Sequence, residues 1–131
     1  MREDKVEGAD VLIIAYDCVL RDILTRMLTP QGYRVVNRSI GFHGIRTFQK
    51  GKGKFDIVVI DSQLPDMSGL DVAKKIKQIS RATPTMLLRG WRERYVEEQL
   101  ADGGVDIALS KPLLIDKACE LIKNAAASRY K

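Results

Sequence analysis

The sequence predicts an α/β protein, a three-layer α/β/α sandwich around a five-stranded parallel sheet. Three observations lead there. Ile57-Val58-Val59-Ile60 is a continuous apolar run rich in β-branched side chains, the pattern of a strand buried on both faces. Val11 to Ala15 (VLIIA) repeats that pattern. Each strand candidate is followed, after a short connection, by a stretch with apolar residues at helical spacing. Strict alternation of this kind implies right-handed crossovers and helices on both faces of the sheet.

Taken in order, Met1 to Ala9 reads as a charged, flexible lead-in, and residues 10–128 as a single domain. The first strand is Val11–Ala15. Asp17 is placed to cap the first helix, where Val19, Leu20, Ile23, Leu24, Met27 and Leu28 form one apolar face. Pro30 and Gly32 close that helix. Tyr33 to Val36 is a short second strand, and Gly41 to Lys50 a second helix with Ile45 and Phe48 facing inward. Gly51-Lys52-Gly53-Lys54 lacks the spacing of a phosphate loop and precedes a strand, so it reads as a turn. Beyond the third strand, Ser68 and Asp71 give an S-x-x-D helix start. The helix runs from Leu70 to Ile79, with Leu70, Ala73, Ile76 and Ile79 inward and Lys74, Lys75 and Lys77 outward. Thr85 to Leu88 is the fourth strand, and Arg92 to Ala101 a helix whose weak apolar face is Val96 and Leu100. Gly103-Gly104 stops it. Val105 to Leu109 is the fifth strand, Lys111-Pro112 turns the chain, and Leu114, Ala118, Leu121, Ile122 and Ala125 line the last helix.

Composition excludes several functions. With 45% hydrophobic and 30% charged residues, the 131-residue chain can bury a core and should be ordered. No apolar stretch approaches the ~20 residues of a membrane span, and the first ten residues lack an apolar signal region, so a cytoplasmic location is expected. Cys18 and Cys119 lie far apart without metal spacing and read as reduced packing thiols. One histidine, His43, gives a metal cage or histidine-dependent catalysis little to work with. The net charge of +5 suits an ordinary domain, and also a nucleic acid or an acidic protein as partner.

The most informative stretch is Phe55 to Gly69, FDIVVIDSQLPDMSG. Asp61 ends the buried strand, at the edge where open α/β sheets place ligands and chemistry. Pro65 and Gly69 make the following loop tight. With Leu64-Pro65, Gly69 opening a helix, Lys111-Pro112 directly after the fifth strand, and Gly104-Val105-Asp106 before it, the chain resembles the response-regulator receiver domain. This is the CheY-like, (βα)5 flavodoxin-like module of two-component signalling, and the resemblance spans Val11 to about Ala127. It implies that Asp61 is a candidate phosphoacceptor for a histidine kinase. It also implies that Lys111 contacts the phosphoryl group, and that Mg²⁺ is held by an acidic pair after the first strand, Asp61 and a backbone carbonyl at Gln63.

At the other family positions the chain departs. The acidic pair falls on Ala15 and Tyr16, the switch Ser/Thr on Arg89, and the switch aromatic on Ala108. Asp17, one residue past the pair, suits helix capping better than metal binding. Asp61, Lys111 and Arg89 together carry net positive charge, which opposes a hard cation needing several oxygen ligands. Mg²⁺ binding through Asp61, Asp17 and Gln63 is therefore expected to be weak. Arg89, with Lys111 a candidate contact for the phosphoryl group, has two open placements: a metal-free ion pair with Asp61, with Lys111 alongside, or a guanidinium pointing into solvent.

Between Val72 and Tyr95 lie seven basic residues, including Lys74, Lys75, Arg92 and Arg94, with Trp91 among them. Tryptophan beside arginine is the composition of an interface hot spot. A protein partner ranks above nucleic acid, because no nucleic-acid motif is present. The expected function is an atypical pseudo-receiver acting by protein–protein interaction, with a histidine kinase or other signalling protein as partner and homodimerisation as a further candidate. The alternatives are a conventional phosphoacceptor and a nucleic-acid adaptor using the basic strip of residues 72–95. No second acid, thiol or histidine is visibly paired with Asp61, so no enzyme is expected.

Overall fold

The computed structural model describes residues 9–90, 97–111 and 115–127. Five strands, β1 (Asp10–Ile14), β2 (Arg34–Arg38), β3 (Ile57–Asp61), β4 (Thr85–Arg89) and β5 (Ile107–Ser110), alternate with five helices. The helices are α1 (Cys18–Leu28), α2 (Gly41–Gly51), α3 (Gly69–Ile79), α4 (Glu97–Asp102) and α5 (Ile115–Ala127). All strands are parallel, in the order β2-β1-β3-β4-β5. The order reverses between β1 and β3, so a crevice opens at the carboxyl ends of these two strands.

The period of two along each buried strand builds two cores. Val11, Ile13, Ile57, Val59, Met86 and Leu88 face α1 and α5, meeting Leu24, Leu28, Cys119, Ile122 and Ala126. Leu12, Ile14, Val58, Ile60 and Leu87 face the other way, onto Phe48, Val72, Ala73, Ile76 and Leu100 of α2, α3 and α4. Continuous apolar runs are what a sheet covered on both faces requires.

Several expectations are corrected. Ala9 is not part of a flexible lead-in: it is fully buried, and its carbonyl accepts from the Arg34 amide. β2 runs to Arg38, because Asn37 and Arg38 pair with Ile13 and Ile14 and find hydroxyl partners in Thr25 and Thr47. α1 does not bury its whole apolar stripe: Leu24 and Leu28 go inward, whereas Val19 (61% exposed), Ile23 and Met27 face solvent. Ile79 is likewise exposed, and Val72 takes the inward place on α3. β5 starts at Ile107, since Val105 and Asp106 form the bonded turn leading into it. Cys18 is exposed at the start of α1. α4 is described from Glu97, so the expected start at Arg92 and the inward Val96 lie outside the described residues, as do Pro112 and Leu114.

Candidate functional site

The crevice at the carboxyl end of the sheet is built from three connections. Asp61 is the last residue of β3, with only 4% of its surface exposed. The loop after it is pinned on both sides: the Ser62 amide bonds to the Leu88 carbonyl (3.0 Å), and the Gly69 amide to the Ser62 carbonyl (2.8 Å). Gly69 is required here by proximity, because a Cβ would stand 2.3 Å from the Asp61 carbonyl oxygen. Ser68 then caps α3 through the Asp71 amide at 3.1 Å, as the S-x-x-D pattern predicts.

Lys111 follows β5, and its amide bonds to the Arg89 carbonyl at 2.9 Å. That bond aims its side chain across the strand ends. Lys111 Nζ lies 3.1 Å from each carboxylate oxygen of Asp61. A symmetrical contact of this kind satisfies both oxygens of a buried carboxylate with one ammonium. The Gln63 amide adds a longer bond to Asp61 Oδ1, at 3.3 Å.

The third connection follows β1. Ile14 pairs with Ile60, so Ala15 lies beside Asp61 on the adjacent strand. Ala15 and Tyr16 present carbonyls, and Arg21 of α1 reaches back to both: its Nη1 donates at 2.6 Å to Ala15 and at 2.9 Å to Tyr16. Arg21 had no signal in the sequence beyond standing one helical turn after Asp17. Asp17 bonds to the start of its own helix. Its Oδ1 accepts from the amides of Val19 (2.9 Å) and Leu20 (3.4 Å), which makes it the cap of α1.

Arg89 does not make the ion pair with Asp61: its guanidinium donates to Ser110 Oγ at 3.1 Å. The cause is strand register: Arg89 and Ser110 are partners on β4 and β5, so the nearest acceptor is across the ladder. Arg89 Nε is buried without a partner. Ala108 packs against the apolar cluster under α2, α3 and α4.

Lys74 and Lys75 are exposed on α3. Lys77 folds back to Asp106 Oδ2 (2.7 Å) and the Thr83 carbonyl (2.7 Å), so it is not on the outer face. Trp91, Arg92 and Arg94 lie outside the described residues. No cluster of three or more His, Cys, Asp or Glu with metal-holding geometry occurs among the described residues. No helix among them is long and apolar enough to cross a membrane.

Comparison with known proteins accords with this geometry. The family model of the response regulator receiver domain matches residues 11–123. The cell cycle transcriptional regulator CtrA of Caulobacter vibrioides is 32% identical over 108 residues, covering 82% of this chain and 46% of that protein. The transcriptional regulatory protein TcrA of Mycobacterium tuberculosis is 29% identical over 115 residues, covering 86% of this chain and 44% of TcrA. The chain thus spans about half the length of the curated relatives it matches. Among solved structures, a response regulator receiver domain protein from Clostridium thermocellum superimposes with a TM-score of 0.85 at 24% identity, covering 93% of this chain and 97% of that one. The receiver domain of the sensor histidine kinase PA1611 of Pseudomonas aeruginosa gives 0.79 at 20% identity, with 92% and 98% covered. That protein carries a magnesium ion in its active-site cleft.

Proposed function

The chain belongs to the response regulator receiver domain family, and from that premise we propose that it works in two-component signalling mainly by docking to other proteins, with weak or no Mg²⁺-dependent phosphorylation of Asp61. The observation that carries this reading is the Arg21 guanidinium on the carbonyls of Ala15 and Tyr16, where the resemblance implies an acidic pair, with Asp17 bonded into the cap of α1.

The donor set does not fit Mg²⁺. That ion demands near-octahedral oxygen coordination and gives up its water reluctantly. Of the oxygens at the end of β1, the carbonyls of Ala15 and Tyr16 are engaged by the Arg21 guanidinium. Asp17 is committed to its helix cap. A cation entering there would also meet the positive charge of Arg21 and Lys111. Lys111 supplies instead the charge that makes a buried carboxylate tolerable, and holds the crevice in one state.

The docking partner is a histidine kinase or another signalling protein. Tyr16 (63% exposed), Val19, Ile23 and Met27 leave an apolar stripe on α1 that begins at the crevice, a face suited to an amphipathic helix. A second reading, a conventional phosphoacceptor, draws support from Asp61 standing within reach of Lys111 at the strand ends. Calorimetric titration with Mg²⁺ separates the two. The expected result is no saturable binding into the millimolar range. Tyr16→Asp combined with Arg21→Met, which adds a carboxylate and removes the guanidinium, should introduce it. Saturable binding by the unaltered protein would favour the second reading.

A further inference from the structure

The edge strand β2 and the helix α2 enclose a groove of about 650 Å³, on the opposite side of the molecule's edge from β5 and away from the Asp61–Lys111 pair. Val36 and Phe55 contribute apolar floor, while Arg38, Arg46, Lys50 and Lys54 supply four positive charges. Among the described residues, no Asp or Glu lines it. His43, Arg46 and Lys50 recur on one face of α2, a stripe about 10 Å long at 1.5 Å per residue. Arg46, Lys50 and Lys54 form no ion pair among the described residues. Asp66, at the upper end, has its two oxygens on the amides of Gly41 and Phe42 at 2.8 Å each. Burial pushes its carboxyl up, but those two bonds outweigh burial and hold it below the usual carboxylate range. It is a helix cap, not a partner for the groove's cations. At the other end, the turn through Lys52 and Gly53, both at positive φ, brings Lys54 back over the Phe55 ring at 5.2 Å.

Phe42 stands on the rim, half exposed, with the Arg46 guanidinium 5.7 Å from its ring centroid. An elongated line of cations suits a chain of evenly spaced negative charges. An exposed aromatic beside it suits a planar ring attached to that chain. An acidic peptide offers a ring only where an aromatic residue falls in it, whereas a nucleic acid carries one on every charged unit. We propose that the groove between β2 and α2 binds single-stranded nucleic acid, with Arg38, Arg46, Lys50 and Lys54 on successive phosphates and Phe42 stacking on a base.

The test is fluorescence anisotropy of a labelled 15-nucleotide oligothymidylate against the full chain at low salt, repeated as salt is raised. Saturable binding is expected, with a log–log salt slope of about −2 to −3 for three to four phosphates. Arg46→Glu and Lys50→Glu should each weaken it on the order of tenfold. Lys117→Glu, an equal charge change on exposed α5, should alter it less than about twofold. Phe42→Ala should weaken binding by roughly fivefold or more with the slope unchanged, because stacking releases no counterions. Each variant alters an exposed helix position, and circular dichroism checks that it folds. Absence of binding at low salt would overturn the proposal. So would equal losses for Lys117→Glu and Arg46→Glu, equal binding of a polyglutamate peptide of matched charge, or ATP alone competing as well as the oligonucleotide.

Discussion

Asp61 and Lys111 define the chemistry of the crevice at the scale of single residues. The carboxylate is almost wholly buried, while the lysine side chain keeps 29% of its surface exposed. Removing the lysine strands a buried charge, whereas removing the carboxylate leaves a cation that can turn to water. Lys111→Met should therefore destabilise the fold by about 1–3 kcal/mol at neutral pH, and Asp61→Asn by less, in urea denaturation. Equal costs would contradict this asymmetry. Tyr33 is the second informative residue. Its hydroxyl is buried with no partner, and burial, with a smaller push from Cys119, raises its pKa to about 12. The folded value lies above the unfolded value of about 10. Stability gained by keeping the phenol neutral is thus complete below about pH 10 and is lost as pH rises toward 12. Tyr33→Phe should raise stability by about 1 kcal/mol at pH 7 and flatten the alkaline decline in melting temperature. A steeper decline in the variant would contradict this assignment.

Helix α1 shows, at the scale of the element, why a periodic pattern is not a burial map. Six apolar residues recur at helical spacing from Val19 to Leu28, yet they span more of the circumference than one sheet face can cover. Leu24 and Leu28 are fully buried, and Val19 is mostly exposed. Leu24→Ala should cost about 2–5 kcal/mol and Val19→Ala within about 0.5 kcal/mol, read from chemical denaturation. Similar costs at both sites would refute the orientation of this helix. The elements that were legible in the sequence were those with strong local causes. Buried runs of β-branched residues marked β1 and β3, Asp17 and Ser68 marked caps, and Gly32 and Gly104 marked stops at positive φ. The ends of β2 were not legible, because Asn37 and Arg38 are polar and become strand only through partners on α1 and α2. The same holds for the site. Asp61 and Lys111 announce themselves by position after a strand. The turning of Arg89 to Ser110 depends on the β4–β5 register, and the reach of Arg21 to Ala15 and Tyr16 on the path of the β1–α1 loop. Neither is written in local spacing.

For the whole molecule, the described residues carry the receiver sheet and its helices, with the Asp61–Lys111 pair in the crevice. The sheet order, the two apolar layers and the switch point between β1 and β3 place Asp61 where the fold puts its chemistry. Into that place the chain brings Asp61, Lys111 and, from α1, Arg21. The same scaffold leaves a positive groove on the β2 edge, so the crevice and the groove can be tested separately. Whether Asp61 still accepts a phosphoryl group to any extent decides between docking and phosphoacceptor function. Intact-mass analysis after incubation with Mg²⁺ and acetyl phosphate, alongside Asp61→Asn, measures that directly. No phosphoryl adduct, or a trace at most, is expected on the folded protein. A major adduct that forms on the unaltered chain and disappears in Asp61→Asn would overturn the docking reading.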